Sequence, residues 1–253
     1  MNGKTRDRFA GHGRGTIARW IRRRRYPGLL EGKPEDLWRE LIARHVPGRS
    51  FADVGCMWRV DGAYSFHALA KGAASVTGID INPATAAFAE KNAAVHDRVR
   101  FVQSDLNDPT LPDRAGEFDV VFCSGVLYHV PNPIFSLEQL RRLCRGTLIL
   151  TTASILERKT PHSAVFLPYL GPGVRERLDF GGPARKRGLD SAVIERRGYA
   201  NWLWLPTPSC LRAMIRFVGF QTLASYEHRH VTTLVARAVA VEAQWGPRAE
   251  PPA

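Results

Sequence analysis

The 253-residue sequence predicts an α/β protein whose doubly wound, mostly parallel seven-stranded sheet ends in an antiparallel C-terminal hairpin. Three observations carry this. Between residues 50 and 152, short apolar runs of strand length alternate with segments of helical period, the pattern of a parallel sheet built by βα crossovers. Two of the runs end in chemistry: Phe51-Ala52-Asp53-Val54-Gly55-Cys56 closes on a glycine turn, and Val76-Thr77-Gly78-Ile79-Asp80 closes on an acid. The last two runs, about 220–226 and 230–238, are separated by three residues, which suits a hairpin and is too short for a crossover.

Each element has a local signal. Gly32-Lys33-Pro34 punctuates the chain, and 35–46 reads as a helix with Leu37, Leu41 and Ile42 on one face, ended by Pro47-Gly48. A strand at 51–54 follows, then a helix from about 62 to 71 with Phe66, Leu69 and Ala70 inward and Gly72 as its stop. The second strand ends at Asp80, and Asn82-Pro83 offers an N-cap and first-turn pair for a helix through Ala94. Strands at 99–103 and 118–123 run into Ser104-Asp105 and Ser124-Gly125. Pro133 opens a helix to about Leu143, closed at Gly146 before a fifth strand at 147–152. Thr207-Pro208 caps a helix to Val218, stopped by Gly219. Residues 153–205 break the rhythm; rich in Pro, Gly and Arg, with patches such as Arg185-Lys186-Arg187, they read as an excursion over the binding edge of the sheet. The chain divides into a basic arm (1–32), an α/β core (33–152), a cover (153–205) and a C-terminal helix, hairpin and tail of the same domain (206–253).

Composition narrows the function classes. Lys and Arg number 36 against 24 Asp and Glu, a net charge of +12. Residues 1–30 hold nine of the cations against Asp7 alone, +8 of the total. Such an arm can contact RNA phosphates through counterion release, and Trp20 and Tyr26 among the arginines can stack on bases; a solvated basic tail is the alternative. No apolar run approaches the roughly 20 residues of a membrane span, and the N-terminus lacks the apolar stretch of a secretory signal. The four cysteines, Cys56, Cys123, Cys144 and Cys210, show no C-x-x-C spacing, which argues for reduced thiols and a cytoplasmic location. His228 and His230 stand two apart on the hairpin but have no third ligand in view, so no metal site is assigned. Oligomeric state is not encoded in any pattern.

The strand tips point to a nucleoside. In an open α/β sheet the C-terminal tips face the cofactor crevice, and an acid about 20–30 residues past the first turn suits a ribose. The spacing argues against a dinucleotide: Cys56-Met57-Trp58-Arg59-Val60-Asp61 separates Gly55 from Gly62, so G-x-G-x-x-G is absent. A nucleoside without a pyrophosphate fits better, and S-adenosylmethionine is the common one. An ordinary turn after a buried strand would leave the same Asp-x-Gly.

Beyond this, Asp53-Val54-Gly55-Cys56, Asp80 and the run Cys123-Ser124-Gly125-Val126-Leu127-Tyr128-His129-Val130-Pro131-Asn132-Pro133 resemble the class I, Rossmann-like methyltransferases. Within them, the last run and Leu205-Pro206-Thr207 leading to Gly219-Phe220 are similar to the bacterial tRNA wobble-uridine (5-oxyacetate pathway) methyltransferase-like group. The resemblance spans roughly residues 50 to 226. It departs at Met57-Trp58-Arg59-Val60, where the relatives' glycine loop is shorter, and the tRNA enzymes carry a longer region before the sheet.

The resemblance implies roles. Gly55 and Gly62 would let the backbone approach the methionine portion of the cofactor, with Cys56 in the same loop; Asp53 would support that loop and the cofactor ammonium. Asp80 would accept the ribose hydroxyls, Asp105 would hold the adenine amino group and Leu106 would pack beside it. Ser124 and Gly125 would line the crevice behind the sulfonium, and Tyr128 and His129 would face the transferred group as the catalytic pair. Loop, turn and packing roles are the alternatives for each. The activity implied is methyl transfer from S-adenosylmethionine to a tRNA nucleoside, a small-molecule hydroxyl or amine, or a lipid headgroup. The family likeness and the arm favour RNA; the aromatics Tyr199, Trp202 and Trp204 of the cover favour a small molecule. A non-catalytic nucleic-acid-binding relative, its cofactor loop lost to the expansion, is the alternative.

Overall fold

The computed structural model describes residues 30–157, 161–167, 203–228 and 230–240. Its strands are β1 Ser50–Val54, β2 Ser75–Asp80, β3 Val99–Gln103, β4 Phe118–Ser124, β5 Cys144–Ala153, β6 Ala164–Leu167, β7 Leu203–Pro206, β8 Phe220–His228 and β9 Val231–Ala238. The helices are α1 Pro34–His45, α2 Ala63–Ala70, α3 Ala86–Ala93, α4 Leu111–Ala115, α5 Pro133–Leu143 and α6 Pro208–Phe217. Among the described residues, seven strands form one sheet in the order β3-β2-β1-β4-β5-β9-β8. The first five run parallel; β9 lies antiparallel between β5 and β8.

The strand order reverses between β1 and β4, and ligands of open α/β sheets bind outside the strand tips at such a switch point. Register fixes what emerges there. Val54 pairs with both Ile79 and Cys123, so the residues that follow, Gly55, Asp80 and Ser124, leave the sheet side by side. Alternation builds the two layers. Ala52, Val54, Val121, Cys123, Leu148 and Leu150 pack on the side of α5 and α6, whereas Phe51, Val76, Val120, Phe122 and Ile149 pack on the side of α1, α2 and α3.

Three local expectations are corrected. The cap of α3 is Thr85, whose hydroxyl accepts the Phe88 N–H at 3.1 Å, and Asn82 instead turns both its amides onto Asp80. On α2 the buried positions are Tyr64, Ser65 and Ala68; Phe66 and Leu69 are half-buried and Ala70 is exposed. Strand β5 begins at Cys144, which pairs with Phe118, and the strand runs on through Gly146 with a shift of register before Thr147 pairs with Val120. Inside the excursion, β6 and β7 pair with each other as a two-stranded antiparallel ribbon that the periodicity did not announce. Of the basic arm only 30–32 are described, where the Leu30 N–H donates to the Glu227 carbonyl at 2.7 Å. Trp20, Tyr26, Arg185, Lys186, Arg187, Tyr199 and Trp202 lie outside the described residues. No helix among the described residues is long and apolar enough to cross a membrane.

Candidate cofactor and acceptor site

The site is assembled from three strand tips. At β1, Asp53 is buried and its Oδ2 accepts the Ser65 hydroxyl of α2 at 2.7 Å. Burial pushes its carboxyl up to about 7; the Ser65 hydrogen bonds pull against this, and the neighbouring charge of Asp80 adds to it. Ser65 is a site residue the sequence reading missed, and the only available signal was a serine on the inward face of a helix facing an unpartnered buried acid.

Gly55 turns the chain out of β1 at φ +88°, where an L side chain is strained, and a Cβ there would lie 2.6 Å from the Ser124 carbonyl oxygen and 2.5 Å from Val126 Cγ2. The residue therefore lets the β1 turn close against the β4 tip. Cys56 is fully buried with its sulfur against Gly78, and burial raises its thiol above the usual range. Its carbonyl accepts the Gly62 N–H at 2.8 Å, which closes the expanded loop into a ring of turns. Arg59 and Asp61 in that loop take left-handed φ values of 59° and 45°. Asp61 Oδ1 accepts the Thr85 hydroxyl at 2.8 Å, tying the loop to the start of α3. Gly62 also has positive φ, and its Cα faces the rings of Phe88 and Phe66 rather than the crevice.

At β2, Asp80 is buried and heavily engaged. Its Oδ2 accepts the Met57 N–H at 2.7 Å, and its Oδ1 accepts the Asn82 backbone and side-chain amides at 2.8 and 2.9 Å. A carboxylate has about four lone-pair sites, so roughly one remains on the Oδ2 side for a ligand hydroxyl. After β3, Asp105 Oδ1 accepts both amides of Asn107, whose own oxygen accepts the Ser136 hydroxyl at 3.0 Å. Leu106 is buried in the cluster that holds Val54, Ile79 and Leu127.

At β4, Ser124 is half-buried and Gly125 is exposed. Tyr128 and His129 follow in a 3-10 turn at Leu127–His129, and a Cβ built on Gly125 would lie 3.8 Å from Tyr128 Oη. The hydroxyl of Tyr128 thus lies over the β4 tip. The Tyr128 and His129 rings lie 4.0 Å apart at 49°. The cover reaches the same place: Ile155 N–H donates to the Pro206 carbonyl, and Thr207 N–H to the Ser163 carbonyl, so both ends of the excursion are bound at its base. The structure brings Gly55, Cys56 and Asp80 together at the tips of β1 and β2, where the Gly55 N–H donates to the Ile79 carbonyl and the Met57 N–H to Asp80, and sets Ser124 beside the Gly55 turn; Asp53 pairs separately with Ser65, and a Cβ on Gly62 would point at the Phe88 and Phe66 rings.

These residues fit an adenosyl cofactor: a buried carboxylate with a free acceptor position at the β2 tip, an acid after β3, and open backbone at Gly125. Known proteins share the fold and the sequence of its core. Residues 52–150, from β1 through β5, match the model of the methyltransferase domain family. The chain is 31% identical over 172 residues to the ubiquinone biosynthesis O-methyltransferase of Methylococcus capsulatus, covering 61% of this chain and 68% of that protein. It is 33% identical over 120 residues to the tRNA U34 carboxymethyltransferase of Campylobacter concisus, covering 46% of this chain and 40% of that protein. Among solved structures, the N-terminal domain of EvdMO1 with SAH bound superposes with a TM-score of 0.53 at 22% identity, covering 84% of this chain and 83% of that one. Magnesium protoporphyrin IX methyltransferase from Synechocystis PCC 6803 with SAH bound gives 0.52 at 18% identity, covering 88% and 94%. A likeness that extends over two thirds of the Methylococcus enzyme, on a sheet of this order, makes this chain a member of the S-adenosylmethionine-dependent class I methyltransferase family.

Proposed function

We propose that the chain methylates a small-molecule hydroxyl or amine held over the β4 tip, with S-adenosylmethionine as the donor. The observation that carries this is Tyr128, whose hydroxyl stands over Gly125, one residue beyond the β4 tip and beside the Gly55 turn. The cofactor supplies an activated methyl group, and displacement from it is in line. The protein's share is alignment, which can account for several kcal/mol of the barrier. Asp80 and Asp105 hold the nucleoside end. Tyr128 orients the acceptor atom, and His129, packed on the Tyr128 ring, takes its proton where the acceptor is not already acidic. Asp53 and Ser65 brace the loop from behind and touch no reactant.

A tRNA nucleoside is the second reading, favoured by the likeness to the Campylobacter concisus tRNA U34 carboxymethyltransferase, of which this chain spans less than half. One experiment separates the two. The protein is incubated with S-adenosylmethionine labelled in its methyl group and either a pool of phenols and amines or total tRNA. Label in the small-molecule fraction supports the first reading, and label in tRNA the second. Failure to bind S-adenosylhomocysteine in calorimetry would overturn both.

A further inference from the structure

The stretch after β5, the start of β6 and the start of α6 meet in one knot of hydrogen bonds. Glu157 grips Ser209 with both carboxylate oxygens: Oε2 accepts its backbone N–H at 3.0 Å and Oε1 accepts its hydroxyl at 2.5 Å. The Ser209 oxygen in turn accepts the His162 N–H at 2.7 Å. Thr207 sends both its N–H and its hydroxyl to the Ser163 carbonyl, at 2.9 and 3.1 Å. Ser209 is the second residue of α6, so its N–H is one of the donors that a helix start leaves without an intrahelical partner. A carboxylate there also meets the positive end of the helix. Burial opposes the Glu157 charge, but the Ser209 hydrogen bonds and the Arg212 cation outweigh it and hold the carboxyl below its usual range.

This clasp lies at the base of the β6–β7 ribbon, because Ser163 leads into β6 and Thr207 follows β7. Among the described residues the ribbon forms a sheet of its own, joined to the end of β5 by the bond from the Ile155 N–H to the Pro206 carbonyl. Its other neighbour is the 3-10 turn. Ala164, Trp204 and Pro206 of the ribbon meet Leu127 and Tyr128 around a notch of only about 10 Å³, room for one water, so ribbon and turn pack closely. Resting on the methyl-transfer reading above, we infer that Glu157 is a positioning residue for the acceptor: it fixes the ribbon against the turn that carries Tyr128, and so sets the acceptor-side wall of the site. Glu157 touches no reactant and acts through the ribbon. Gly55, Asp80 and Asp105 follow β1, β2 and β3, at least two strands from β5 in the sheet, so loosening the clasp leaves the hold on the cofactor intact.

The full chain is compared with Glu157→Ala, Glu157→Gln and Ser209→Ala. The Trp204 indole N–H resonance, identified by its loss in Trp204→Phe, reports the ribbon, and calorimetry with S-adenosylhomocysteine reports the cofactor side. Methyl label entering the pool of phenols and amines, at a low and a much higher pool concentration, reports the acceptor side. In Glu157→Ala the Trp204 resonance should move or broaden. S-adenosylhomocysteine affinity should stay within about twofold, while label at the low concentration falls roughly tenfold, the worth of one hydrogen bond to a charged acceptor. That deficit should narrow at the high concentration, because a displaced wall weakens acceptor binding more than turnover. Glu157→Gln still offers an oxygen to the Ser209 N–H and an amide to the Ser209 hydroxyl oxygen, so it should restore all three readouts towards wild type. Ser209→Ala keeps its N–H on Glu157 and should show the Glu157→Ala changes in smaller measure; it carries the test if Glu157→Ala does not fold. An unmoved Trp204 resonance, or a deficit equal at both pool concentrations, would overturn the inference. So would a loss of S-adenosylhomocysteine affinity in step with Tm, the mark of a residue that only holds the fold. A wild-type chain that binds no S-adenosylhomocysteine, or labels nothing in the pool, would instead strike the reading above; the Trp204 measurement needs no acceptor and still decides whether Glu157 places the ribbon.

Discussion

Met57 donates its backbone N–H to Asp80 Oδ2 at 2.7 Å, so the expanded loop after β1 is held by the acid at the tip of β2. The same carboxylate therefore serves loop structure and, in the proposed site, the ribose. Hydrogen bonds to charged acceptors contribute about 1.5–3 kcal/mol. Asp80→Ala should thus weaken S-adenosylhomocysteine binding roughly 10- to 150-fold, and freeing the loop adds to the loss. Asp80→Asn has a single oxygen and can keep the Asn82 contacts or the Met57 contact, but not both, so it should fall between. Calorimetric affinities of Asp80→Ala equal to wild type would reject the ribose role.

Gly55 offers a test of the junction between β1 and β4. Alanine there meets both an unfavourable φ and the Ser124 carbonyl. A non-glycine residue forced into the left-handed region costs roughly 1–3 kcal/mol before any clash. For a chain of this size that corresponds to a drop of several degrees in Tm, and displacement of Ser124 should lower cofactor affinity as well. A Gly55→Ala protein with wild-type Tm and wild-type affinity would show that the turn has slack.

Much of this arrangement was legible in the sequence because it is local. An apolar run that ends in Asp-x-Gly or Ile-Asp declares a strand and its tip, and the three-residue spacing before His230 declares a hairpin. What was not legible depends on groups that meet only after folding. Asn82-Pro83 looks like a helix cap, yet Asp80 captures the Asn82 amides and moves the cap to Thr85. The inward face of α2 is set by the need of Asp53 for a donor, which places Ser65 inside and leaves Phe66 against the Phe88 ring. Among the described residues, strands β6 and β7 pair with one another across a long insertion, so neither has a sequence neighbour to reveal it.

Asp53 gives a pH dependence of definite sign. Its carboxyl titrates at about 7 in the folded chain against 3.8 for the free group. Below pH 4 both states hold the proton. Between pH 4 and 7 the unfolded chain releases it and the folded chain keeps it, so stability falls as pH rises, by about 1.4 kcal/mol per unit. Above pH 7 the loss is complete, on the order of 4 kcal/mol. Asp53→Asn carries no charge and can still accept from Ser65, so it should remove this slope and exceed wild type in stability at pH 8. Urea unfolding of cofactor-free protein at pH 5 and pH 8 is the measurement; an identical pH dependence in both proteins would show that Asp53 is ionised throughout.

The Tyr128–His129 pair tests the proposed chemistry directly. Tyr128→Phe keeps a ring over the β4 tip and removes only the hydroxyl beside Gly125. If that hydroxyl orients the acceptor, turnover should fall while S-adenosylhomocysteine affinity stays within about twofold, because Asp80 and Asp105 are untouched. His129→Ala should lower turnover by about 10²–10⁴ if the imidazole takes the acceptor's proton. That loss should shrink for more acidic acceptors, which need less help, and a plot of the loss against acceptor pKa gives the slope. A structural His129 would behave differently: Tm would drop with the loss of ring packing against Tyr128, and the folded fraction would keep its specific activity at every acceptor pKa. Normal turnover by both variants would move the acceptor chemistry away from the β4 tip.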